Sequence, residues 1–164
     1  MDRIKFSERS RVYIPIYIKP LNDITMKPLR FKVDTGADST TVSKIWLHKL
    51  GFDAGWIAEN VVVDKSNVLS TASGEQVKFG VVQLPVINIL GLEAKSWPFT
   101  ILLDEDADFR SNLLGRDLLA GFNFRFNNDE KVLEIERAAT FTYIYPKLGG
   151  QEIYEVQKNN GLFA

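Results

Sequence analysis

The sequence predicts an all-β fold, closed or sandwich-like, with two short helices. Three observations predict it. Val12–Ile18 is β-branched and aromatic, and Leu29–Val33 alternates apolar and polar with period two. Turn-forming clusters punctuate the chain at LNDITMKP, STASGEQ and Asn127–Glu130. Helical spacing surfaces only briefly, between residues 43 and 50 and again after Gly115.

The elements follow in order. Val12–Ile18 and Leu29–Val33 form a hairpin across the LNDITMKP turn, and its second strand ends at Asp34. In SKIWLHKL apolar residues fall at 45, 46, 47 and 50, which predicts a helix with Ser43 near its N-cap and Gly51 at its stop. Val61–Val63 and Val68–Leu69 read as short strands, and 70–76 as a loop tip. Strands are expected over 77–90 and 95–103, with Gly91-Leu92-Glu93 turning between them. Leu113-Leu114 leads into Gly115 and a second short helix. Strands at 122–126 and 131–136 then flank the Asn127–Glu130 turn, and Phe141–Tyr145 is strand-like up to Pro146. Beyond it the pattern is weak.

With 164 residues, 45% of them hydrophobic, the chain suits one domain, 1–164, with a substantial core. Lys and Arg number 20 against 21 Asp and Glu, so no basic surplus points to nucleic acid or to an anionic membrane. No apolar run is long enough to span a bilayer, and MDRIKFSERSR lacks the apolar stretch of a signal peptide. The expectation is a soluble, cytoplasmic chain. With no cysteine, disulfides, thiolate nucleophiles and zinc–sulfur sites are excluded. A single histidine, His48, makes a histidine-based metal site or a serine–histidine triad a poor fit. Any chemistry is then expected to rest on carboxylates, hydroxyls or nothing.

Residues 31–43 read FKVDTGADSTTVS, an apolar strand running straight into Asp34-Thr35-Gly36. A carboxylate at a strand end can be held rigid and partly out of water. A hydroxyl can lock the turn to a neighbour. A glycine lets another backbone approach and leaves its amide free to donate to the carboxylate. The tripeptide alone suits an ordinary turn equally well. The segment Leu113-Leu114-Gly115-Arg116-Asp117-Leu118-Leu119 is a second apolar strand ending in a glycine turn, readable by itself as a buried strand with Asp117 capping a helix.

Together these motifs resemble the retropepsin-like aspartic proteases, the retroviral-type, single-lobe members of the pepsin clan. The resemblance rests on Phe31–Thr40, Thr71-Ala72-Ser73-Gly74 and Leu113–Leu119, on the order of the elements, and covers roughly residues 11–137. It implies a single-lobe closed β-barrel with a flap hairpin, and an endopeptidase that works without a metal or organic cofactor. Asp34 would be the catalytic aspartate. Thr35 would hydrogen-bond across to its counterpart in a facing subunit, and Gly36 would lie beside the scissile peptide. Ala37 and Asp38 would contact substrate, as would Ala72, Ser73 and Gly74 of the flap. Arg116 would pair with Asp38, with Gly115 supporting the second loop. The flap is less glycine-rich than in viral enzymes, and residues 138–164 extend the chain as interface, lid or extra sheet.

Aspartic protease chemistry needs two carboxylates sharing one proton around a water. The sequence has one Asp-Thr-Gly, so an active enzyme requires two copies, each giving Asp34 across a two-fold axis, with a peptide or protein as substrate. The alternative is a catalytically weak or latent member kept as a peptide-binding or dimerisation module.

Other features carry less. Asp104, Asp106 and Asp108 begin like a calcium loop, but Phe109 stands where glycine is needed and Gly115 where glutamate is needed, which leaves a solvated acidic loop. His48 reads as structural or superficial. Trp46, Trp56 and Trp97 are expected in the core or lining the groove. Ser39, Thr40 and Thr41 are expected to bond local backbone rather than act as nucleophiles.

Overall fold

A computed structural model describes residues 1–63, 68–70, 76–103, 112–139, 147–148 and 151–152. Alternating apolar residues build a hairpin from β2 (Tyr13–Ile18) and β3 (Lys27–Val33), in which Ile14 opposes Phe31 and Ile16 opposes Leu29. Four more strands join them: β4 (Thr41–Val42), β6 (Gln76–Ile89), β7 (Leu92–Leu102) and β8 (Leu113–Leu114). The pairing runs β2-β3-β8-β4-β7-β6, and β6 returns to β2 through Tyr17 opposite Asn88 and Ile18 opposite Ile87. The sheet therefore closes on itself. Strand β5 (Val68–Ser70) extends it beyond β6.

Period two puts one residue of each pair inside. Ile14, Ile16, Ile18, Phe31, Leu84, Ile87, Trp97, Phe99 and Ile101 are fully buried there. The rings of Phe31 and Phe99 lie 6.0 Å apart at 51°.

A second sheet lies beside the first, in the order β1 (Asp2–Lys5), β10 (Val132–Arg137), β9 (Phe122–Asn127). Leu133 and Ile135 carry the common core into it. A two-residue pair, β11 (Lys147–Leu148) with β12 (Gln151–Glu152), follows.

Several expectations are corrected. Three short α-helices are present among the described residues, not two: α1 (Lys44–Lys49), α2 (Ala54–Asn60) and α3 (Arg116–Leu119). Asp53 is the N-cap of α2 and accepts from Trp56 N at 2.8 Å. Ser43 holds the N-cap position of α1 without capping it; its own amide donates to Asn112 Oδ1 instead, at 2.9 Å. Gly51, at φ +89°, ends α1 as expected, because the left-handed conformation suits a residue without Cβ. The turn between β6 and β7 is Leu90-Gly91, both at positive φ as a tight two-residue hairpin requires, so Leu92 and Glu93 already belong to β7. Val61–Val63 forms only a single bridge, Val62 to Val81. Of the tryptophans, Trp97 is buried, Trp56 packs half-buried on Phe52 at 4.6 Å, and Trp46 is exposed.

Candidate active site

Asp34 follows the last residue of β3. Parallel pairing of Lys32 with Leu113 and Val33 with Leu114 brings the ends of β3 and β8 side by side, and Asp34 N donates to Leu114 O at 3.0 Å. The chain turns at once. Ala37 N donates to Asp34 O at 3.1 Å, and Gly36 N donates to the Asp34 carboxylate at 3.0 Å. Asp34 is half-buried, whereas Thr35 and Gly36 are exposed. The turn thus presents an oriented carboxylate beside an uncovered hydroxyl and glycine backbone.

The loop after β8 is stitched to this turn through main chain. Arg116 N donates to Ala37 O at 2.9 Å, and Asp117 N to Asp38 O at 3.3 Å. The Arg116 guanidinium is ion-paired with the Asp38 carboxylate on the exposed side. At Gly115 the two segments cross so closely that a Cβ would strike the Ser39 carbonyl and stand 2.9 Å from Thr40 N. Only glycine fits that crossing without displacing backbone.

Beneath the crossing lies a buried polar cluster. Asp117, 2% exposed, accepts from Thr40 Oγ1 at 2.6 Å, from Thr40 N at 3.0 Å and from Leu118 N at 2.7 Å. Thr40 Oγ1 in turn accepts from Gly115 N at 3.1 Å. Loss of hydration pushes the Asp117 carboxyl up to about 6, against the opposing pull of these donors. Asp117 does not cap α3, whose N-cap is Gly115; it braces the Asp34 turn from below. Nor does Thr40 bond only local backbone. Ser39 Oγ shares a 2.8 Å hydrogen bond with Thr100 Oγ1 of β7, so the hydroxyl cluster reaches across the sheet.

Of the residues singled out from sequence, Asp34, Thr35, Gly36, Ala37, Asp38, Gly115 and Arg116 come together at one end of the closed sheet. Ala72, Ser73 and Gly74 lie outside the described residues, as do the acidic run 104–108 and the strand-like piece 141–145. Sequence reasoning missed the Thr40–Asp117 pair as a unit. A buried-looking Asp next to Leu-Leu was its one local signal. Among the described residues no group of three or more His, Cys, Asp or Glu is placed to hold a metal ion. No described helix is long and apolar enough to cross a membrane.

Comparison with known proteins bears on this geometry. Residues 22–121 match the family described as “gag-polyprotein putative aspartyl protease”. No curated protein matches the chain. Among solved structures, a retropepsin-like aspartic protease from Rickettsia conorii is similar at 26% identity and a TM-score of 0.59, over 82% of this chain and 97% of that one. The EIAV protease in complex with the inhibitor HBY-793 aligns at 18% identity and a TM-score of 0.49, over 71% of this chain and 91% of that one. The retroviral protease-like domain of Ddi1 from Leishmania major aligns at 15% and 0.45, over 77% and 88%. The matched segment spans more than half of the chain and contains both the Asp34 turn and the Arg116 loop, so the chain belongs to the retropepsin-like, gag-type aspartyl protease family.

Proposed function

We propose that the protein is a homodimeric aspartic endopeptidase in which two Asp34 carboxylates, one from each protomer, activate a water for attack on a peptide bond. The observation that carries this reading is the Asp34 turn itself. One carboxylate, oriented by the Gly36 amide, sits beside an exposed Thr35 and Gly36.

Two carboxylates brought close across a two-fold axis share one proton, because like charges at that spacing resist double ionisation. The ionised partner takes a proton from water as it attacks the carbonyl carbon. The protonated partner donates to the carbonyl oxygen, and the proton is later passed to the leaving amine. Gly36 leaves room for the substrate backbone. Ala37 and Asp38 would contact substrate on the near side, and Ala72, Ser73 and Gly74 from the far side. Arg116 would hold Asp38 in place.

A surface for the second copy is offered by the three-stranded sheet. Strand β9 is an edge of that sheet among the described residues, with Phe124 and Phe126 37% and 41% exposed and their rings 6.1 Å apart. An edge strand with exposed aromatics invites pairing.

The test compares the wild-type chain with Asp34→Asn on an unfolded protein substrate, from acidic to neutral pH and at several enzyme concentrations. Cleavage absent from Asp34→Asn, and rising faster than linearly with enzyme concentration, supports the dimeric aspartic mechanism. Cleavage that survives Asp34→Asn, or none at all from wild type at high concentration, refutes it.

A further inference from the structure

On the outer face of the β2–β3 hairpin two open pockets adjoin. One, about 380 Å³, is lined by Tyr13, Pro28, Leu29, Arg30, Trp46 and Asn112. The other, also about 380 Å³, is lined by Ser7, Glu8, Arg9, Arg11, Tyr13 and Arg30. Tyr13 and Arg30 belong to both, so the pockets form one trough.

The trough is strongly cationic in a chain whose net charge is −1. Arg9, Arg11 and Arg30 line it against the single carboxylate of Glu8. Among the described residues the ion pairs join Arg3 to Glu130, Arg116 to Asp38 and Arg125 to Glu134, and none engages these three arginines. No carboxylate among the described residues is ion-paired with their guanidinium forks, whose donors suit a planar anion.

The backbone that carries two of them is strained. Arg9 and Ser10 are left-handed, at φ 63° and 57°, a conformation that residues with a Cβ rarely adopt and that tends to persist at functional sites. Ser7 holds it closed: its amide and its hydroxyl both donate to Arg11 O, at 2.7 and 3.0 Å. The floor is fixed as well. Asn112, 5% exposed, takes the Ser43 amide on its Oδ1 and reaches toward Arg30 O at 3.5 Å.

We propose that this trough binds an acidic, extended segment of a polypeptide, whose carboxylates are held by Arg9, Arg11 and Arg30. A carboxylate-bearing chain fits better than nucleic acid. The Tyr13 ring already carries the Arg30 guanidinium at 4.3 Å, and Trp46 carries the Lys49 ammonium at 4.2 Å, so each ring has a cation over one face where a base would compete to stack. Resting on the proteolytic reading, the segment would belong to the substrate. Arg30 lies on β3 and Asp34 just past its end, four residues on and at most roughly 13 Å away, or about four residues of extended peptide. Acidic residues at that distance from the scissile bond would then favour cleavage.

The binding test uses the full chain carrying Asp34→Asn, so that it stands whatever the cleavage assay shows. Fluorescence anisotropy is read with a fluorescein-labelled peptide of alternating Glu and Gly, its Gln counterpart, and a labelled oligothymidylate. The Glu peptide is expected to bind at least about ten-fold tighter than the Gln peptide, and more weakly as salt is raised. Adding Arg9→Asn with Arg30→Gln, substitutions compatible with the turn and the strand, is expected to cost about ten-fold in affinity without changing the thermal midpoint. Arg30→Lys should retain part of the binding. Equal binding of the Glu and Gln peptides, no binding of either, affinity unchanged by the double substitution, or tighter binding of the oligothymidylate each overturns the proposal.

Discussion

Thr40 and Asp117, 77 residues apart in sequence, hold each other by two hydrogen bonds, the threonine giving both its amide and its hydroxyl to the carboxylate. Each comes from one of the two loops that meet at the Asp34 turn. The pair is sealed from water, and this decides how the fold responds to pH.

Burial raises the Asp117 carboxyl from 3.8 to about 6. A raised acid binds more protons in the native than in the unfolded state between those values. The native state is therefore relatively favoured below about pH 4 and loses that advantage as pH rises to about 6, by roughly 3 kcal/mol in all. Urea unfolding between pH 4 and 7 should show this loss in wild type, and Asp117→Asn should flatten it. A wild-type curve no steeper than that of Asp117→Asn would refute the assignment.

Truncation should be more damaging than neutralisation. Asp117→Ala strands the Thr40 amide, the Thr40 hydroxyl and the Leu118 amide without water. The expected cost is about 3–5 kcal/mol at pH 5, measured by denaturant titration. A loss below that of a typical surface substitution would mean the cluster is hydrated.

Gly115→Ala tests the crossing of the two loops. Its Cβ meets backbone on the Ser39–Thr40 side, which cannot swing away as a side chain would. The expected destabilisation is roughly 3–5 kcal/mol, with any proteolytic activity lost alongside. Gly36→Ala meets only the Asp34 carboxylate, at 3.3 Å. It should fold nearly as well as wild type, lowering activity more than the unfolding midpoint.

Arg116→Lys addresses the exposed ion pair with Asp38. Both side chains are more than half exposed, so stability should change by less than about 1 kcal/mol. If Asp38 helps to hold substrate, the lysine variant should still cut with a raised KM. A large fall in unfolding midpoint would assign the pair to folding instead.

Ser43→Ala separates cap position from cap bond. An N-cap serine is ordinarily worth about 1 kcal/mol, but here the Ser43 side chain makes no cap bond. The substitution should cost well under that, as read from thermal unfolding. A full-sized loss would show that the hydroxyl engages α1 in solution.

Much of this architecture was legible locally. Val12–Ile18 is β-branched and aromatic, Leu29–Val33 alternates apolar and polar, and the strand delivering Asp34 ends where the turn residues begin. Strand β1 was hidden because its outward residues are charged and Ile4 is its one apolar residue. Helix α2 was hidden because Gly55 sits in its first turn and Gly51, just before it, already marks a stop. The Thr40–Asp117 pair leaves one local trace, the Leu118-Leu119 that follows Asp117. Thr40 reads as an ordinary turn residue and Asp117 as a cap, and the pairing of β8 with both β3 and β4 brings them together.

The frame around Asp34 is built largely from main-chain atoms: Asp34 N to Leu114 O, Arg116 N to Ala37 O, Asp117 N to Asp38 O. Any residue except proline can supply such a donor. Side chains at positions such as 37 are therefore released from architectural duty and can vary, while Gly115 and the buried Thr40–Asp117 pair cannot. A saturation library should divide along that line, with proline alone rejected at position 116 on folding grounds and nearly every residue rejected at 115.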